Sequence, residues 1–501
     1  MAISTYAAID IGTSQLSMKI YEVSRQHGIK ELTHVRHKLF LGAETYSKGI
    51  ISYQTVNEIC TTLNDFKRIM SDFRTKNWQI CATSGLREAK NCLVVVDQIK
   101  IQTGFDVKIL SNSETCFLYY EALARKEHRF ESYIEEGTLI VNIGAGNVQL
   151  SVFNQGKLYA TQNLLLGSYR IQELLHVMQD EAYDFHALLS EYMERDLNLF
   201  QKYYLDSVKI RHIITIGGMI PEIYQYLQQG DPDFDGHVSK KLLKRKLPKN
   251  LSSDTARLVI PTILLCRKIS DLTECGQFYL SAIDFCDSIV ADYAQKKLKL
   301  SLRHDFTLDI LSSAEHIAGK YKVDMNHVDN VQTLALEIFD RIRKLHGLGK
   351  RERLLLQIGV ILHSCGSYIN EIQTRECSYR IIMSTEIIGI SHKERAMVAN
   401  MVRYNTSSIP TYEELDEDFT ENEYITIVKL NAILKTANVL DKSNRQKIRD
   451  VGVTLKDGVL TITADTMADI TLEKGLFHHG ADVFQEVFGI RPVLRQKRSG
   501  H

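Results

Sequence analysis

The sequence predicts two α/β lobes, then a helical domain, then a small α+β cap. Three observations carry this. An apolar run, Tyr6-Ala7-Ala8-Ile9-Asp10-Ile11, enters a turn at Gly12 and leaves with alternating Leu16, Met18 and Ile20, which is a strand–turn–strand signature. The pattern returns at an offset of 132: Asp10 falls on Asn142, Gly12 on Gly144, Leu16 on Val148, Met18 on Leu150 and Ile20 on Val152. A repeated unit of this kind points to two related lobes, each offering a glycine turn to a shared cleft. From about residue 300 the texture becomes helical, with apolar residues at three- and four-residue spacing.

Composition bounds the function. The 501 residues suggest about three domains. Lys plus Arg is 61 and Asp plus Glu is 61, so the chain is no wholesale polycation coating nucleic acid. Hydrophobic residues at 44% and charged residues at 24% exclude a disordered chain. No apolar run approaches the ~20 residues of a membrane span, and the N-terminus lacks the pattern of a signal peptide. Nine cysteines without a C-x-x-C pair argue against a disulfide scaffold or zinc site and suit a reducing cytoplasm.

Between the repeats, Gln79 to Ser84 reads as a strand leading to a helix at Leu86–Asn91. Val107-Lys108-Ile109-Leu110 is a strand, and Ser111-Asn112-Ser113-Glu114 caps the next helix. Ile213-Ile214-Thr215-Ile216 precedes a third glycine turn, Gly217-Gly218, with Pro221 in the first turn of a helix. Helices follow over Ala314–His346, Glu352–Ile369, Lys393–Tyr404 and Ile425–Leu440, with an acidic loop over 413–423. Val451 to Thr463 reads as a hairpin turning at Asp457-Gly458. A helix over Ala481–Phe488 and a strand over Arg491–Arg495 close the chain. The expected domains are 1–120, 121–300, 301–420, and 421–501 for the last helix plus the cap.

Glycine turns after strands present backbone N–H groups to phosphate, and glycine permits close approach. Three such turns are more specific than one. Asp10, ending the first strand, suits Mg²⁺ directly or through water; read alone it is a turn-capping residue. Lys240, Lys241, Lys244, Arg245, Lys246 and Lys249 form a basic stripe, read either as a solvated face or as a polyanion track. No RNA-reading motif with interleaved aromatics accompanies it.

Four ordered stretches resemble the motifs of the exopolyphosphatase/guanosine pentaphosphate phosphohydrolase (Ppx/GppA) family: Ala8 to Thr13, Ala82 to Asn91, Asn142 to Asn147, and Leu166 to Arg170. The resemblance extends through a helical HD-like domain to 469–477 and 487–492. It implies two actin-like (RNase H-like, ASKHA) ATPase-fold lobes followed by an α-helical HD-like domain and a small α+β domain. It also implies Mg²⁺-dependent release of terminal phosphate from inorganic polyphosphate or pppGpp, and a homodimer. By the same resemblance Glu114 is the general base and Arg87 the phosphate-binding arginine. Gly12, Thr13, Ser14, Gly144, Gly146, Asn147, Gly217 and Gly218 are then phosphate-loop residues, and Asp10 and Asn142 the metal ligands. Glu114 is equally a first-turn helix glutamate that suits the helix dipole.

The departures shape the expectation. In its second loop the family has an Asp that helps hold Mg²⁺ and a Glu that helps orient or polarise the attacking water; this chain has Asn142 and, at that catalytic position, Gln149. Both keep shape and lose charge, which weakens a hard-cation site and costs ~10²–10³ in rate apiece if each contact acts at the transition state. Asn112 replaces a glycine before Glu114, and Met219 a threonine after the third turn. The HD-like metal set is also depleted: His327 and His363 remain, while Ser364 and Asn438 replace its aspartates. The leading expectation is a weakened exopolyphosphatase-like phosphohydrolase. The alternative is a non-catalytic binder of polyphosphate or (p)ppGpp. A kinase on the same fold is disfavoured by the HD-like domain and the altered third loop.

Overall fold

The computed structural model describes every residue except 1–3, 177, 179–180, 206–207, 244–252, 300–301, 303, 416–418, 450, 457 and 498–501. The chain divides into two compact units, Met1–Asp309 and Ile310–His501.

The first unit holds both α/β lobes. In lobe I, β1 (Ser4–Ile11), β2 (Gln15–Ser24), β3 (Gly28–Lys38), β4 (Asn77–Ala82) and β5 (Val107–Ile109) form a sheet of order β3-β2-β1-β4-β5. β1 pairs antiparallel with β2 and parallel with β4. In lobe II, β6 (Thr138–Ile143), β7 (Val148–Asn154), β8 (Lys157–Leu164), β9 (His212–Ile216), β10 (His237–Ser239) and β11 (Gln277–Leu280) take the order β10-β11-β9-β6-β7-β8. Setting aside the edge strand β10, the second sheet repeats the first, strand for strand. This is the actin-like arrangement that the sequence leads one to expect.

The repeat holds to the register. Asp10 lies opposite Ser17 in lobe I, and Asn142 opposite Gln149 in lobe II. The Gly12 amide donates to the Gln15 carbonyl at 3.0 Å, and the Gly144 amide to the Asn147 carbonyl at 2.9 Å. β1 and β6 are buried along most or all of their length, as central strands covered on both faces must be. Ile9, Ile11, Leu16, Met18 and Ile20 pack with the Tyr53–Asp72 helix in one core. Val141, Ile143, Val148, Leu150 and Val152 pack in the other with the Phe185–Phe200 helix.

The second unit carries helices from the first half of the predicted helical domain through to Thr471–Phe488, beside a three-stranded sheet. That sheet comprises β12 (Val451–Lys456), β13 (Val459–Asp465) and β14 (Pro492–Lys497). The single helix expected over Ala314–His346 is three, Phe306–Lys320, Met325–Arg341 and Arg343–His346. Asp324 restarts the second by accepting from the Asn326 amide at 3.1 Å. The helix expected to reach Ile369 stops at Leu362, and a short 3₁₀ turn follows at Cys365–Tyr368. The last helix begins at Thr471 rather than Ala481; its first turn inverts the amphipathic pattern, with Leu472 exposed and Glu473 buried, so apolar periodicity misses it. The helix expected over Leu86–Asn91 is split into Ser84–Arg87 and Cys92–Thr103. Residues 244–249 of the basic stripe, 416–418 of the acidic loop and Asp457 of the hairpin turn lie outside the described residues.

Candidate active site

The two duplicated turns meet at one cleft. Asp10, Gly12, Thr13 and Ser14 line it from lobe I, and Asn142, Gly144, Ala145 and Asn147 from lobe II. Arg87 and Gly218 complete the lining among the residues read from sequence. The cleft has a volume of about 120 Å³, room for a terminal phosphate. Gly146 and Gly217 stand just behind. A Cβ on Gly146 would lie 2.1 Å from the Tyr46 hydroxyl, and one on Gly217 would lie 2.3 Å from Asn142 Oδ1. Gly217 also has φ +78°, so glycine is required there twice over. The Gly12 and Gly144 amides close their own turns, so any phosphate contact falls to other groups of the loops.

Asp10 is the most perturbed carboxyl of the cleft. Its Oδ1 is buried with no hydrogen-bond partner. Burial, aided by Asp284, pushes its pKa up to about 8. Asn142 spends its Nδ2 on Cys116 Sγ at 3.1 Å, and a hard cation could use only its carbonyl oxygen. Among the described residues no group of three or more His, Cys, Asp or Glu is placed to hold a metal. Mg²⁺ commonly takes one or two protein oxygens and completes its shell with water and substrate phosphate. One orphaned carboxylate oxygen and one amide carbonyl fit that pattern, with a charge fewer than a paired-carboxylate site.

Arg87 is braced rather than loose. Its guanidinium donates to the Leu110 carbonyl and to Asn112 Oδ1, with Glu88 3.7 Å away. The asparagine that replaces the family's glycine therefore helps aim Arg87. A second arginine spans the lobes: Arg170 donates to the Gly146 carbonyl at 2.7 Å, pairs with Glu88, and lies over the Tyr46 ring at 4.5 Å.

Two expected catalytic residues are not brought to the cleft. Glu114 closes a capping box: its carboxylate accepts from the Ser111 amide at 3.0 Å while Ser111 Oγ accepts from the Glu114 amide at 3.2 Å. Lys108 pairs with its other oxygen at 3.3 Å. Its neighbour Thr115 lines the cleft instead. Gln149 is buried, with Nε2 on Thr161 Oγ1 at 2.7 Å and Oε1 without a partner.

Sequence reasoning missed Glu222 and Asp284, which also line the cleft. Asp284 is bound up in a network: Lys19 lies 2.7 Å from it, 3.0 Å from Asp287 and 3.0 Å from Glu31. Burial and Asp287 hold Asp284 above the usual carboxylate range despite Lys19. Glu222 pairs with Arg36 at 3.3 Å through one oxygen, while its Oε2 is buried without a partner. Burial raises its pKa as well. The only sequence signal for Glu222 was its place just after the third glycine turn. In the second unit, His327 Nδ1 meets Asp441 at 2.8 Å and His363 Nδ1 donates to the Val360 carbonyl at 2.7 Å, both buried.

Comparison with known proteins adds the family. A model described as the Ppx/GppA phosphatase family matches residues 19–241, just after the first glycine turn. A second, Ppx/GppA phosphatase, domain III, matches residues 311–479. Among solved structures, an exopolyphosphatase from Cytophaga hutchinsonii is 17% identical with a TM-score of 0.49, over 58% of this chain and 97% of that one. A Ppx/GppA family member from Aquifex aeolicus is 16% identical with a TM-score of 0.48, over 59% of this chain and 99% of that one. The two family models follow one another in order and together span more than three quarters of the sequence: the chain belongs to the Ppx/GppA phosphatase family.

Proposed function

We propose that the cleft takes the terminal phosphate of inorganic polyphosphate or a guanosine polyphosphate and hydrolyses its phosphoanhydride bond slowly. The observation that carries this is the convergence of both duplicated turns with Asp10 and Arg87 on one phosphate-sized cleft. Asp10 and the Asn142 carbonyl would hold Mg²⁺, which when bound offsets phosphate charge and aligns the phosphoanhydride. Arg87, aimed by Asn112 and the Leu110 carbonyl, offers guanidinium charge to the transferring group. Glu222, not Glu114, accepts the proton of the attacking water. It lines the cleft, and burial raises its pKa, which strengthens it as a base. The setting suits a reducing cytoplasm: all nine cysteines are free, and among the described residues no helix is long and apolar enough to cross a membrane.

The second reading is a binder without turnover. The Glu114 carboxylate committed to its helix cap, with amides at Asn142 and Gln149, favours it. Phosphate release from long-chain polyphosphate and pppGpp, measured beside their binding, separates the two. Turnover that exceeds that of Glu222→Gln supports hydrolysis; saturable binding with no such turnover supports the sensor.

A further inference from the structure

Two cationic side chains line the cleft among the described residues, Arg87 and Arg36. Arg87 faces the terminal phosphate in the function proposed for the cleft. Arg36 has no part in that function, yet its strand, its partners and its exposure all suit a second anion.

Strand register sets its place. Asp10 on β1 lies opposite Ser17 on β2, and Ser17 lies opposite Arg36 on β3. Residues directly opposite one another share a face of the sheet. Two strand spacings put the Arg36 backbone ~10 Å from that of Asp10. The row therefore runs from the carboxyl at the terminal phosphate to a guanidinium one step outward.

The guanidinium is aimed by its partners. Its Nε donates to His34 Nε2 at 2.9 Å. Burial and the adjacent Arg36 charge hold the His34 pKa down to about 4, so the ring stays a neutral acceptor. Nη1 donates to Glu222 Oε1 across a long 3.3 Å. Nη2 has no partner among the described residues. The side chain keeps 29% of its surface exposed, so an anion in the cleft can reach it. A planar guanidinium held at two corners is preorganised to give its third to a phosphate oxygen. Lys19 cannot compete for that role, because Asp284, Asp287 and Glu31 lie within 3.0 Å of its ammonium.

We propose that Arg36 binds the phosphate next to the terminal one, so that the cleft selects two linked phosphates. The ligand class is a diphosphate or a longer phosphoanhydride; a lone phosphate monoester leaves Arg36 Nη2 without its acceptor. The assignment rests on the phosphoanhydride reading of the cleft, but not on turnover.

The test is calorimetry on the full chain with Mg²⁺, using methylenediphosphonate and methylphosphonate, whose P–C bonds resist hydrolysis. The natural chain is expected to bind methylenediphosphonate about tenfold more tightly or better. Arg36→Met should bring the two probes within about threefold of each other and leave methylphosphonate binding unchanged. If Arg36→Met fails to fold, Arg36→Lys keeps a charge for Glu222 but loses the fork, and should weaken methylenediphosphonate by about threefold or more. Equal binding of the two probes by the natural chain overturns the assignment. So does a preference for methylenediphosphonate that survives intact in folded Arg36→Met or Arg36→Lys. No binding of either probe overturns the phosphoanhydride reading and the assignment with it.

Discussion

Single residues decide how much chemistry the cleft retains. Glu222→Gln keeps the shape of the side chain and removes its basicity, so phosphate release should fall about 10²–10⁴-fold while binding changes little. Glu114→Gln should leave turnover within a few-fold, because its carboxylate serves the helix cap. The reverse ranking in a phosphate-release assay would return the base to Glu114. Asn142→Asp restores a charged oxygen beside Asp10 and should tighten Mg²⁺, read by calorimetry; no change would mean that Asn142 is not a ligand. Asp10 makes that binding pH-dependent. Its folded pKa, about 8, lies above the ordinary 3.8, so its contribution to stability is fullest below pH about 4 and is lost as pH rises through about 8. A cation requires the ionised form. Below pH 8 each Mg²⁺ bound at Asp10 should release close to one proton, and affinity should climb with pH and level off above it. Calorimetry in two buffers of different ionisation heat reads that proton directly, and an Asp10→Asn protein should show none.

Elements explain why some of this could be read in advance and some could not. The helix over Asn112–Lys126 starts with Ser111 and Glu114 capping each other, and Ser111→Ala should cost ~1 kcal/mol of stability, measured by chemical denaturation. The same geometry bears on the reading of Glu114. A motif match identifies a glutamate at a helix start, but a capping glutamate and a catalytic one look identical in sequence; only the direction of the carboxylate separates them. The duplicated hairpins were legible because both central strands are continuous apolar runs that end in the same turn, and even the Asp10–Ser17 and Asn142–Gln149 pairings repeat. The Tyr53–Asp72 helix was not, although Ser52 caps it by accepting from the Thr55 amide, because a lone serine is a commoner signal than a repeated glycine turn. The break at 321–324 was missed because apolar spacing continues through it, while Lys322 turns to a left-handed conformation after the first helix and Asp324 caps the start of the next. Asp284 was invisible as a site residue, because the topology carries it to the cleft from far along the chain, and Glu222 was signalled only by its place after the third glycine turn.

For the whole molecule, the equal totals of 61 basic and 61 acidic residues conceal a cleft whose charge has been redistributed. The family's second-loop carboxylates are amides here, Asp10 is desolvated, Asp284 is held by Lys19, and Glu222 keeps one uncommitted oxygen. An intact actin-like duplication thus supports a phosphate-sized cleft with diminished capacity to ionise. The account stands most directly on phosphate release from long-chain polyphosphate with Mg²⁺, compared between the natural chain and Glu222→Gln. It predicts slow but measurable release by the natural chain and loss of that release in the variant. Release that is absent from the natural chain, or unchanged in Glu222→Gln, would contradict it.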